Sequence, residues 1–84
     1  MSEYDFPKKI RVMGYSGYRL NERPLYFVFD NHKLQVENVI DRWHGEDYDY
    51  FRVLADDGRV YLIKWQRIDD AWFVVKIMER LGKH

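Results

Sequence analysis

Three histidines, His32, His44 and His84, are the first residues to weigh for chemistry, because imidazole changes charge near neutral pH and binds metals. His44 stands among Asp41, Glu46, Asp47 and Asp49, a setting that would suit a metal ion or an acid–base pair. The spacing supports neither. No second His lies at a ligand interval, and the alternating oxygen ligands of a calcium loop are missing. A solvated acidic loop is the reading we prefer there. Ser2 and Ser16 are the only serines and there is no Thr. Ser16 sits between Gly14 and Gly17 but lacks the strand-to-helix elbow of a hydrolase nucleophile. Those glycines do not complete a phosphate-binding loop and read as turn residues. Asp56 and Asp57 look like a carboxylate pair, yet turn formation accounts for both. With no Cys in the chain, disulfides, thiolate zinc sites and thiol nucleophiles are excluded. The expectation is a non-enzymatic protein with no catalytic residue, no cofactor and no metal.

Trp43, Trp65 and Trp72 carry the remaining functional signal. They can pack a core or a barrel mouth, or they can form a stacking platform with basic neighbours, as on small barrels that bind single strands. Arg19, Arg23, Arg42, Arg52 and Lys64 would supply the charge. The candidate partner- or nucleic-acid-binding residues are therefore Arg19, Arg23, Trp43, Arg52 and Trp65.

Composition bounds these readings. An 84-residue chain makes one domain with one core and buries only about 60% of its unfolded surface. Lys plus Arg and Asp plus Glu each number 14, so the net charge is zero, which argues against a dedicated duplex-DNA binder. The balance hides an asymmetry. Lys8, Lys9, Arg11, Arg19 and Arg23 face one acid, Glu22, in the early segment. Asp41, Glu46, Asp47, Asp49, Asp56 and Asp57 outweigh Arg42 and Arg52 later on. Such a layout is either a set of solvated loops or a basic face for an anionic partner or a self-complementary dimer. The polar start, Met1-Ser2-Glu3-Tyr4-Asp5, predicts no signal peptide, and no apolar run reaches a membrane span, so a cytoplasmic protein without membrane contact is expected.

The elements that must position these residues read as strands. Ile10–Met13 alternates weakly, and Pro24 opens a run in which Leu25, Phe27 and Phe29 share one face. Asp30-Asn31-His32 is turn chemistry. Residues 33–43 are ambiguous: Leu34 and Val36 alternate, whereas Val36, Val39, Ile40 and Trp43 fall at helical spacing. A bulge near Asn38 produces the same shift, and the β-branched content favours a bulged strand. Tyr50–Ala55 and Arg59–Trp65 form a hairpin about Asp56-Asp57-Gly58. A three-residue loop pairs Phe51 with Ile63 and Val53 with Tyr61; a two-residue loop shifts that register by one. Residues 71–81 read as a strand, with Trp72, Val74 and Met78 on one face and Phe73, Val75 and Ile77 on the other, or as a helix capped by Asp69 or Asp70 and ended by Gly82. The strand is preferred, with a short helical turn after Met78. The sum is an all-β domain over residues 1–84, with frayed ends at 1–7 and 80–84. Its five or six strands form an antiparallel meander that rolls into a small, partly open barrel.

The order of residues also resembles a bacterial family of small β domains of unknown function. The features are Ile10-Arg11-Val12, then Arg23-Pro24 before an aromatic strand. Leu34-Gln35-Val36 leads through Val39-Ile40 to Asp41-Arg42-Trp43. Phe51-Arg52-Val53, Asp57-Gly58, Tyr61-Leu62 and Trp72 complete the match over roughly residues 6–78. The resemblance implies a compact β fold in which Trp43 closes one strand and Trp72 opens another. It implies no activity, cofactor or catalytic residue. Some members look to be encoded near genes of DNA-repair polymerases, which implies a link to nucleic-acid metabolism.

Several strands are apolar on both faces, more than one small core requires. The leading expectation is a binding module that engages another protein or a second copy of itself. Single-stranded nucleic-acid binding, with a link to DNA repair, is the alternative.

Overall fold

A computed structural model describes residues 6–14 and 24–78. Six antiparallel strands, β1 (Lys8–Met13), β2 (Tyr26–Phe29), β3 (His32–His44), β4 (Tyr48–Ala55), β5 (Val60–Gln66) and β6 (Ala71–Met78), follow one another around a closed barrel. The small antiparallel barrel expected from the sequence is present. It closes through β1, which shares its six residues between two neighbours: Lys8–Ile10 pair with β6 and Arg11–Met13 pair with β2. The expected frayed ends fall largely outside the described residues, as does the helical turn after Met78.

The strand parity is clearest in β4. Every second residue from Asp49 to Ala55 is buried and the residues between them face out. The Ala55 amide donates to the Arg59 carbonyl at 3.0 Å and leaves a three-residue turn, Asp56–Gly58, so Phe51 pairs with Ile63 and Val53 with Tyr61, the first of the two registers compatible with the sequence. Gly58 takes the left-handed position, with φ of 86°, and its amide donates to the Ala55 carbonyl. The β2–β3 connection is tighter still. Asp30 and Asn31 both have positive φ, the two-residue hairpin turn whose twist matches that of the strands.

β3 is a strand throughout, and it carries two bulges. Val36 opposes Ala55 and Asn38 opposes Leu54, leaving Glu37 as an extra residue; Ile40 is extra in the same way between Val39 and Asp41. These insertions produce the mixed periodicity of the sequence. They also bend β3 so that His32–Gln35 pair with β2 and the remainder with β4. β6 is likewise a strand, with Val75 bulged: Ile63 opposes Val74 while Leu62 opposes Lys76. The bulge corrects the simple alternation expected for this segment. Trp72 and Val74 point into the core, and beyond the bulge it is Ile77 that packs against the core.

Phe27, Phe29, Phe51, Val53, Tyr61, Ile63, Trp72 and Val74 form the centre of the core. Its aromatic contacts are edge-on or tilted, as ring quadrupoles favour: Phe27 meets Tyr61 at 5.2 Å between ring centroids and Phe51 meets Trp72 at 5.5 Å. Leu25 does not join Phe27 and Phe29 in the core. It precedes β2, is exposed, and packs beside Gly14, where φ is +82° and an added Cβ would come within 2.8 Å of the Leu25 side chain.

Candidate functional site

Two places on the barrel gather functional side chains. The first is its upper end, where the β3–β4 and β5–β6 connections meet. Asp49 lies on the inward side of β4 at this mouth, with only 6% of its side chain exposed. A buried carboxylate must be hydrogen-bonded to persist. Arg67 forms an ion pair with it, and the His44 Nδ1–H donates to Asp49 Oδ1 at 2.7 Å. Arg67 also donates to the carbonyls of Gly45 (3.1 Å) and Glu46, and its amide donates to the Asp47 carbonyl at 3.2 Å. One guanidinium thus ties the two upper loops to a buried anion. The loop is more than the solvated acidic stretch expected from the sequence, because Asp49 is an internal anchor. Among the described residues no group of three or more His, Asp or Glu could hold a metal ion.

The second place is the outer wall of β3–β6 and β1. Register places Trp43 beside Tyr50, Tyr50 beside Lys64, Lys64 beside Phe73 and Phe73 beside Lys9, a single row across five strands. Trp43 is 42% exposed and stacks on Tyr50, with 5.4 Å between centroids and 8° between planes. Tyr48 lies beside Tyr50 at 6.1 Å. The Lys64 ammonium sits 4.2 Å from the Tyr48 ring centroid and 5.7 Å from that of Phe73, where it gains cation–π attraction from both. The next row, Asp41, Arg52, Leu62 and Lys76, runs parallel. In these two rows four cations (Lys9, Arg52, Lys64, Lys76) meet one carboxylate, Asp41, which is ion-paired with Arg52. Both side chains of that pair are about two-fifths exposed, so it contributes little to stability. Most of the acids stand elsewhere. Glu46, Asp47, Asp69 and Asp70 occupy the upper connections, Asp49 the inward face of β4 beside them, and Asp30, Asp56 and Asp57 the lower turns. A neutral chain therefore presents a basic, aromatic wall.

Of the five residues singled out from the sequence, Trp43 and Arg52 lie on this wall, and Arg19 and Arg23 fall outside the described residues. Trp65 belongs to the inward face. It stacks on Trp72 with 5.8 Å between centroids, packs against the core, and donates its indole N–H to Asp70 Oδ1 at 2.8 Å. The wall does not include it. Arg42, which the sequence offered as a charge donor, also turns inward, its guanidinium 5.1 Å from the buried Phe51 ring. Tyr48, Tyr50, Phe73 and Lys9 were not among the candidates. The register of the β4–β5 hairpin already places Tyr50 opposite Lys64, and that signal could have found the pair.

No family model, curated protein or solved structure matches the chain. No helix among the described residues is long and apolar enough to cross a membrane.

Proposed function

We propose that the protein binds single-stranded nucleic acid on its outer wall, across the row from Trp43 to Lys9. The observation that carries this reading is the exposed Trp43–Tyr50 stack continued by Lys64 between two aromatic rings. An open ring face accepts any base, and flanking ammonium groups meet the phosphates; together these are the elements of sequence-tolerant strand binding. Duplex is a poorer fit, because its bases are already stacked on one another.

A protein partner or a second copy is the other reading. Its motive was strands apolar on both faces, and the barrel uses part of that surplus itself. Tyr61 and Ile77 serve the core, and the apolar groups within the two wall rows, Phe73 and Leu62, are interleaved with lysines and Arg52. Alternating charge with aromatic surface favours a polyanion over an apolar protein face.

The test is an amide and indole shift titration of labelled protein with a thymidine hexanucleotide at low and moderate salt. Shifts at Tyr50, Lys64, Phe73 and the Trp43 indole are expected. With three phosphates engaged, the slope of log affinity against log salt should be about −2. A flat response at low salt overturns the proposal and returns the protein-partner reading to first place.

A further inference from the structure

Midway along β1 the barrel wall parts. Below the Arg11–Val28 pair, β2 turns into β3 through Asp30-Asn31, while the lower half of β1 stays with β6. A groove of about 390 Å³ opens between that turn and β1. Ile10 and Val28 line it with apolar surface. Lys8, Lys9 and Arg11 supply its cations, against Asp30 as the one carboxylate among its lining residues and Asn31 as an amide. A larger cavity of about 480 Å³ at the lower end makes a useful contrast. There Lys33 and Arg59 are offset by Asp30 and Asp57, and Asp57 already accepts hydrogen bonds from the Tyr61 hydroxyl at 2.6 Å and the Arg59 amide at 3.0 Å. The smaller groove has an excess of positive charge; the larger cavity does not.

Lys9 belongs to both the groove and the wall, since it pairs with Phe73 at the end of the aromatic row. The geometry points to the groove as a phosphate-binding subsite that receives the same strand after it crosses the wall. The inference rests on the wall being a nucleic-acid site. From Trp43 to Lys9 the row crosses four inter-strand intervals, roughly 19 Å at the usual strand spacing. With the groove added, the footprint exceeds a trinucleotide and lies at the short end of the four to sixteen nucleotides typical of small barrels, about four to six.

Two oligonucleotides and two variants separate the parts. A thymidine trinucleotide occupies only the wall, whereas a hexanucleotide reaches the groove. The double variant Lys8→Gln with Arg11→Gln should weaken the hexanucleotide about tenfold, reduce its salt slope by about 1, and leave the trinucleotide unchanged. Trp43→Ala should weaken both. If the double variant binds the hexanucleotide as tightly as the parent while Trp43→Ala still weakens it, the groove inference fails and the wall stands. If the parent binds neither oligonucleotide, the wall reading fails and takes this inference with it. Inorganic pyrophosphate titrated into the unaltered protein gives a check independent of variant folding. Amide shifts at Lys9, Arg11 and Asn31 support the groove, and their absence at low salt counts against it.

Discussion

Trp43 and Trp65 have the same side chain, lie near the same end of the barrel, and each stacks on another aromatic ring, yet one is surface and the other is part of the interior. Trp43 rests on Tyr50 with its outer face in solvent, whereas Trp65 rests on Trp72 against the core and has its N–H held by Asp70. Residue type does not separate them; strand parity does. In β3 the inward set begins at Leu34 and continues to Val36. A single bulge at Glu37 moves the inward set to Val39 and would carry Trp43 inside with it. The second bulge at Ile40 restores the parity, sends Arg42 inward over Phe51, and turns Trp43 out. One inserted residue therefore decides whether the wall has a stacking platform.

The largest expected effect separates interior from wall. Trp72 is 6% exposed and touches both Phe51 and Trp65, so Trp72→Ala should cost about 3–5 kcal/mol, enough to unfold much of a domain this small. Trp43→Ala should cost about 1 kcal/mol or less, because the ring it leaves is already half in water. Its effect should fall on binding: loss of one stacked base contact predicts a fivefold or greater drop in affinity for a thymidine hexanucleotide. Urea unfolding of both variants, with titration of the folded one, measures the contrast. A Trp43→Ala protein as unstable as Trp72→Ala would mean that the wall is structural.

Charge is used differently on the wall and at the upper end, where it holds loops in place. Asp49→Ala removes the anion that holds Arg67 and His44 and should destabilise by about 2 kcal/mol, because the partly buried guanidinium keeps only its carbonyl partners. Strand affinity, measured where both proteins are folded, should not change. A parallel loss of affinity would show that the upper loops take part in the site.

Much of the fold was legible in the sequence because its signals are local. Asp57-Gly58 between two β-prone runs fixes a hairpin, Asp30-Asn31 suits two left-handed residues, and Trp-Phe-Val-Val resists a helix in spite of good capping residues around it. What was not legible depends on neighbours. The bulge at Val75, which gives the core Ile77, appears only when β6 is registered against β5, and the second bulge in β3 only when that strand is registered against β4. The site was half legible for the same reason. Trp43, Arg52 and Lys64 were chosen by residue type, and type alone also chose Trp65 and Arg42, which face inward. The run of positive charge across the wall was hidden because its members are scattered from Lys9 to Lys76 and meet only through lateral pairing.

The smallest effect at neutral pH concerns Tyr61, an interior aromatic whose hydroxyl reaches the lower end of the barrel. Burial raises its phenol well above the ordinary value of 10, and the hydrogen bond and charge of Asp57 raise it further. A raised folded value means that the neutral phenol is favoured by folding. Below pH 10 both folded and unfolded chains keep the proton and stability does not depend on this group. Above pH 10 the unfolded chain loses the proton while the folded chain retains it. Each further pH unit then lowers stability by about 1.4 kcal/mol until the folded phenol also ionises. Tyr61→Phe should cost about 1 kcal/mol or less at pH 7, since Asp57 keeps its bond from the Arg59 amide, and it should remove this alkaline loss. Urea unfolding of both proteins between pH 7 and pH 11 is the measurement. The parent should start more stable and converge on the variant, or fall below it, as the pH passes 10. Curves that stay parallel would mean that Tyr61 ionises as easily in the barrel as in water, and that its hydroxyl is not held by Asp57 beside the core.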